Sequence, residues 1–398
     1  MTIAIIITLC TLLLLAYIFD LTSSKTKVPS VILLLALGFV VRYLTQFLAI
    51  NIPDLTPILP LLGTVGLILI VLEGSLELEF NKSKAPLIRK SLFTAIFPLL
   101  ALAFLLSFLF QYFGEASFKD SLTNAIPFCI ISSAIAIPSV KSLTSFNKEF
   151  VIYESSLSDI IGVLFFSFVA LNDSFGLSTF GHFGLQLIII AAVSFVATIG
   201  LAFLLNKIDH HIKFAPIILL VILIYAISKV YHLPGLLFIL LFGLFLGNLD
   251  ELKQFRWIRK LKPEELNQEV LKFKELTIEA AFLVRALFFL LFGYLIQPYE
   301  ILNTDTLIWA VGIVSAIFLF RAIQLKISRL PLSPLLFIAP RGLITILLFL
   351  AIEPSHTISF VNKSLIIQVI ILTALIMMLG FMTRKTDRDD KIVEPQDS

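Results

Sequence analysis

Residues 149–171 read EFVIYESSLSDIIGVLFFSFVAL. The stretch is long and apolar enough for a helix to cross the hydrocarbon of a bilayer, which takes about 20 residues, yet it carries Glu154 and Asp159. With entry near Glu149 and a rise of about 1.5 Å per residue, Asp159 lies roughly 15 Å deep, near the midplane, and Glu154 lies shallower. An acid at that depth costs at least about 2.5 kcal/mol on insertion scales, so it turns toward a bundle interior or a wet cavity. The rest of the chain agrees with a membrane setting. Of 398 residues, 59% are hydrophobic and 14% charged, with a mean hydropathy of +1.02. Ordinary soluble domains are about half apolar and about one quarter charged, so there is too little polar surface here to coat a globule in water. The net charge of +3 comes without a basic stripe, which argues against a nucleic-acid partner. Cys10 and Cys129 sit inside apolar runs and read as small buried hydrophobes, with no disulfide, metal site or cofactor indicated.

Working outward, charges and turn clusters divide the chain into thirteen apolar runs, roughly 2–19, 28–50, 55–72, 91–112, 122–140, 150–171, 183–205, 214–231, 234–249, 277–297, 306–325, 333–352 and 364–382. The expectation is an all-α polytopic membrane protein: a transmembrane domain over 1–382 and a short cytoplasmic tail over 383–398. The first run lacks a basic flank before it and a small-residue cleavage site, so it reads as a retained helix. Residues 250–276 form the longest charged interval, expected as a cytoplasmic connector between halves. Phe255, Trp257, Ile258 and Leu261 would allow it an interfacial amphipathic helix instead. Loops after odd-numbered runs, with the tail, hold 23 Lys and Arg, and loops on the other side hold only Lys119 and Lys363. Because cytoplasmic loops carry the basic excess, the N-terminus is expected outside and the C-terminus inside, in a plasma or bacterial inner membrane in contact with lipid.

Apart from Lys229 at the end of its run, four basic residues remain within the runs: Arg42, Arg285, Arg321 and Arg341. Arg321 falls about as far from the cytoplasmic end of the eleventh run as Glu154 does in the sixth, so the two are expected to pair and cancel each other's burial cost. Arg42 reads as a snorkeler at the outer end, and Arg285 as a snorkeler or a partner of Glu279. Glu73 and Glu77 read as the end of the third run. His182, His210, His211, His232 and His356 fall at run ends and loops without metal spacing and read as solvated, with the adjacent pair 210/211 a candidate cytoplasmic pH sensor.

Two runs carry helix-breaking residues at comparable depth. The fifth reads IPFCIISSAIAIPSVKSL, with Pro127 and Pro138 around Ser132 and Ser133; the twelfth reads SPLLFIAPRGLITILL, with Pro340, Arg341 and Gly342 in succession. Proline removes a backbone donor and glycine loosens the turn, and freed backbone polar groups are tolerated in a membrane only where they line a protein cavity. The two runs are seven apart, an odd offset that inverts direction. Two broken helices in inverted repeats, crossing near the midplane beside an ionisable residue, form the architecture expected of a secondary transporter.

These motifs carry a family resemblance. Glu154-Ser155-Ser156-Leu157-Ser158-Asp159 resembles the Glu-Ser-x-x-Asn-Asp motif of the monovalent cation:proton antiporter superfamily, which comprises the sodium/proton exchangers and their bacterial relatives. Val71-Leu72-Glu73-Gly74-Ser75 is similar to the family's third-helix ending, and Phe288-Phe289-Leu290-Leu291-Phe292-Gly293 to its Phe-Phe-x-x-x-Gly segment. Phe320-Arg321-Ala322 and Pro340-Arg341-Gly342 resemble its late arginine helix and its broken Arg-Gly helix. The resemblance implies that Asp159 binds the cation and the proton, that Glu154 pairs with Arg321, that the broken helices flank the site, and that the protein is a homodimer. Two positions depart from the pattern. Ser158 replaces the Asn or Asp before the binding aspartate, and Ala136-Ile137-Pro138 stands where Thr-Asp is often found. Ser132-Ser133-Ala134-Ile135 is closer to the potassium-efflux branch, which leaves Na+ and K+ both open.

The chemistry follows from the residues as well. A carboxylate in a partly dry site can hold either a proton or a hard cation, with oxygens from Ser132, Ser133, Ser158 and broken-helix carbonyls completing the shell. If the site faces each side in turn but reorients poorly when empty and charged, the two ions must exchange. Ser158 cannot ionise at working pH and Arg321 does not deprotonate, so one cation is expected to exchange for one proton. The alternative on the same scaffold is a cation channel or uniport pathway. A membrane enzyme is disfavoured, because no nucleophile with a plausible base and no zinc-ligand spacing is present. Asp159 could instead be a hydrogen-bonded structural carboxylate, and Arg341 could either cap the broken helix or touch the ion path.

Overall fold

The computed structural model describes residues 2–50, 52–78, 81–140, 143–172, 176–207, 214–231, 233–252 and 263–383. Helices dominate and no strand occurs among the described residues. In chain order the principal helices are α1 (Thr2–Thr26), α2 (Ser30–Phe47), α3 (Ile58–Glu77), α4 (Ala85–Gly114), α5 (Phe118–Ala125), α6 (Ser133–Ser139), α7 (Ser145–Leu171), α8 (Leu177–Lys207), α9 (Phe214–Val230), α10 (Gly235–Gly247), α11 (Pro263–Leu295), α12 (Thr304–Ile327), α13 (Leu343–Leu350) and α14 (Lys363–Thr383). Ten segments among the described residues are long and apolar enough to cross a membrane, with α5 and α6 counted together as one; α9 and α10 are shorter apolar helices, and α13 is the regular part of the interrupted twelfth run.

Packing divides the helices into two groups. In one, α11 lies along α2 and α3, and α10 joins α3 and α8; in the other, α4 packs on α5, α7 and α12, α12 packs on α14, and α6 on α7. The groups meet mainly through α3, which touches α7 and α13. Small residues allow the tightest contact in the first group. A Cβ on Gly38 would lie 2.2 Å from the Leu290 carbonyl oxygen, and one on Gly293 would lie 2.3 Å from that of Leu35. The backbones of α2 and α11 therefore touch directly, a close approach that only glycine permits and that favours helix association in lipid.

Helix starts follow local chemistry. Ser117 accepts a hydrogen bond from Asp120 N at the start of α5, and Asn303 accepts one from Asp305 N at the start of α12, satisfying amides that have no partner within the helix. One boundary differs from the expectation. Helix α11 begins at Pro263, so residues 263–276 of the expected connector are a helical extension of the tenth run. Charge ended the apolar run in sequence, but charge does not end a helix. Glu269 and Lys272 pair along it at 3.2 Å, and Lys274 reaches Glu77 at 3.9 Å. Phe255, Trp257, Ile258 and Leu261 lie outside the described residues, as do His210, His211 and His232 and the tail beyond 383.

Candidate functional site

The fifth run breaks between two short helices. Helix α5 ends in a 3-10 turn over Ile126–Phe128, an extended stretch follows, and α6 restarts at Ser133. Of the two prolines flagged in sequence, Pro127 lies in the turn; Pro138 lies inside α6, next to its end, and does not make the break. In the twelfth run a 3-10 turn over Leu335–Phe337 gives way to irregular backbone through Pro340, Arg341 and Gly342 before α13 begins. The breaks meet: Ser132 N donates to the Pro340 carbonyl at 2.9 Å.

Buried backbone polar groups need partners, and the site supplies them from four neighbouring segments. Ile131 N donates to Ser158 Oγ at 3.0 Å, and Ser133 N to Asp159 Oδ2 at 3.2 Å. Arg341 Nε donates to the Phe128 carbonyl at 2.7 Å, Arg341 Nη1 to that of Ala339 at 2.8 Å, and Arg341 N to Thr373 Oγ1 on α14 at 3.1 Å. Arg321 Nε donates to the Leu335 carbonyl at 2.7 Å. Arg341 is buried, and its side chain donates to a carbonyl of each broken run. The breaks pack closely at Gly342: a Cβ there would lie 2.6 Å from Ile135 Cδ1 and 2.9 Å from Ser132 Oγ and would have to displace those side-chain ends.

Asp159 is 2% exposed. Its Oδ2 accepts from both the backbone N–H and the hydroxyl of Ser133, whereas among the described residues Oδ1 meets no hydrogen-bond partner, and neither does the buried Ser132 hydroxyl. The site therefore offers a carboxylate oxygen and a serine hydroxyl that are buried and uncommitted, the donor set a hard monovalent cation takes. Ser133 holds Asp159 and Ser132 ties the two breaks together, while Ser158 spends its oxygen on the unwound chain.

Five residues before Asp159 on α7, Glu154 receives Arg321 in a two-point contact, Nη1 to Oε1 at 3.1 Å and Nη2 to Oε2 at 2.9 Å. The expected pair is present, with both side chains nearly inaccessible. Other charged residues fall differently from the expectation. Arg285 faces Glu73 on α3 at 3.9 Å in place of Glu279, and both side chains are largely covered. Arg42 donates to the carbonyls of Tyr294 and Ile296 at 3.2 and 3.3 Å, capping the end of α11 where snorkeling was expected. His356, expected to be solvated, holds Asp120 Oδ1 at 2.7 Å, and Asn124 bridges the carbonyls of both. Each is a tertiary contact between runs far apart in the chain, which run-by-run reading does not see. Thr373 was also missed; its one sequence signal is a threonine inside an apolar run.

Residues 10–385 match the family model of the sodium/hydrogen exchanger transmembrane region. The chain belongs to the sodium/hydrogen exchanger family. The exchanger is similar in fold to the sodium proton antiporter MjNhaP1 from Methanocaldococcus jannaschii: against its electron-microscopy structure the TM-score is 0.66 at 20% identity, covering 96% of this chain and 95% of that one. Against the structure of MjNhaP1 at pH 8 the TM-score is 0.64 at 19% identity, covering 96% of each chain. A search of curated proteins finds no match. The fold class expected from the sequence is thereby borne out, as an all-helical membrane protein of the antiporter superfamily.

Proposed function

We propose that this exchanger moves one monovalent cation, Na+ or K+, against one proton, electroneutrally, with Asp159 as the single titrating carrier. The observation that carries the reading is the split environment of Asp159: one oxygen is anchored by Ser133, and the other, like the hydroxyl of the adjoining Ser132, has no hydrogen-bond partner among the described residues. A proton and a cation then compete for Oδ1, and occupancy by either removes the charge that keeps the site from reorienting. Glu154 is neutralised by Arg321 in every state, so it adds no second proton; Ser158 and Arg341 hold the unwound chain in shape. The two helix groups supply a surface along which one can move against the other, carrying the crossing of the breaks between the two sides. Thirteen crossings, the N-terminus outside, a plasma-membrane location with lipid around it, and a homodimer complete the reading.

The test is reconstitution into liposomes, a cation gradient, and internal pH followed with the membrane potential clamped or free. Proton movement on addition of Na+ or K+ at a rate that valinomycin and potassium leave unchanged is the expected result. Acceleration on clamping overturns electroneutrality. Cation flux without proton movement identifies the channel reading, and a robust rate from Asp159→Asn removes Asp159 from the mechanism.

A further inference from the structure

A cavity of 380 Å³ opens at the end of the bundle where α5 begins. Lys119, Lys229 and Glu353 stand in its wall, and α7 and the end of α13 contribute to its lining. The lining residues of α7 are Val163, Phe166, Ser167 and Ala170. Their spacing marks one helical face, and the same face, one turn deeper, carries Asp159. Leu348 on α13 and Ala351 and Ile352 just after it also line the cavity; the face of α13 that carries Leu348 carries Thr345 one turn deeper. Val163 and Leu348 are 8% and 6% exposed and line the cavity one helical turn from Asp159 and Thr345 on their respective helices.

Thr345 is 1% exposed, and its Oγ1 meets no hydrogen-bond partner among the described residues. Ser107 and Thr198 are buried and unpartnered in the same way, and Thr345 lies in the first turn of α13, where no helical turn precedes it, whereas a hydroxyl inside a helix can bond the carbonyl one turn back. Thr277 and Thr373, equally buried, do so at 2.8 and 2.9 Å. Thr345 also stands three residues after Gly342, against which Ser132 and Ile135 of the other broken run are packed, so the start of α13 abuts that break. The geometry points to Thr345 as a transient oxygen ligand for the cation on the path from this cavity to Asp159, with Val163 and Leu348 as the apolar gate above it. A partly dehydrated cation passing the gate would exchange water for the Thr345 hydroxyl before reaching Asp159 Oδ1. On the topology proposed above the cavity faces outside, so Thr345 serves the outer path and not the cytoplasmic one.

The inference rests on the exchange reading, and the experiment separates the two. Proton release is measured against cation concentration in right-side-out and in everted membrane vesicles, for the wild type, Thr345→Val, Thr345→Ser and Asp159→Asn. Valine keeps the shape and removes the hydroxyl. It is expected to raise the half-saturating cation concentration about three- to tenfold in right-side-out vesicles, the effect of one lost polar contact, and to leave the everted value within about twofold. Serine should restore the wild-type value. An unchanged value in right-side-out vesicles, an equal shift on both faces, or failure of serine to restore it overturns the assignment. A silent wild type, or an active Asp159→Asn, overturns the exchange reading instead. Should Thr345→Val not fold, the gate is tested alone: Leu348→Cys, in a chain with Cys10→Ser, should react with an impermeant thiol reagent from outside, more slowly when the cation is present. Absence of that labelling overturns the path.

Discussion

Removing either member of the Glu154–Arg321 pair should cost far more than removing both. The pair is a two-point contact at 3.1 and 2.9 Å between side chains that are 1% and 4% exposed, so each single substitution strands a charge with little water to receive it. Breaking a buried pair from one side costs about 3 to 5 kcal/mol, whereas replacing both members is often near neutral. The structure also predicts an order. Without Glu154, Arg321 keeps the Leu335 carbonyl, but without Arg321, Glu154 loses both of its charged hydrogen bonds. Arg321→Gln should therefore be the more damaging single change, and the double Gln variant should be less destabilised than either single one, most of the summed losses returning as coupling. Denaturant unfolding in detergent can be read by dye capture of Cys129, which is buried in the native fold, in a chain whose exposed Cys10 is replaced by serine. Additive losses would refute the argument, because independent sites do not share a burial cost.

Asp159→Asn should fold with near wild-type stability and lose cation-dependent proton release, checked by size-exclusion profile and proteoliposome assay together. Gly293→Ala places a methyl group 2.3 Å from the Leu35 carbonyl oxygen; the helices must separate, with a loss of about 1 to 3 kcal/mol visible as a lower melting temperature in detergent. Arg341→Gln should cost transport and stability together, since it releases the carbonyls of both breaks, and Arg341→Lys should recover only part of each because lysine lacks the planar fork. Cysteines at Lys119 and Lys363 should label from outside and those at Arg259 and Arg388 only after permeabilisation; labelling of Arg259 in sealed cells would invert the topology.

The sequence by itself determined the solvent and the cast of the site. Apolar run length specifies helices because the bilayer leaves backbone groups no other way to be satisfied, and the cost of a charge at depth singles out Asp159, Glu154, Arg321 and Arg341 without coordinates. The Glu154–Arg321 pair was legible for the same reason, since depth is a one-dimensional quantity that a sequence records. What needed the tertiary structure were the choices among partners at equal depth and the points where helices actually unwind. Arg285 chose Glu73 over its own helix neighbour Glu279, Pro138 sits within α6, and α11 continues through charges that ended the apolar run. The orientation of each hydroxyl was likewise hidden: Ser158 turns to Ile131, Ser133 to Asp159, and Thr345 to no partner among the described residues. A hydroxyl goes where a neighbouring helix presents a donor or an acceptor, and a helix's neighbours are decided by packing in three dimensions, about which residue order along one helix is silent.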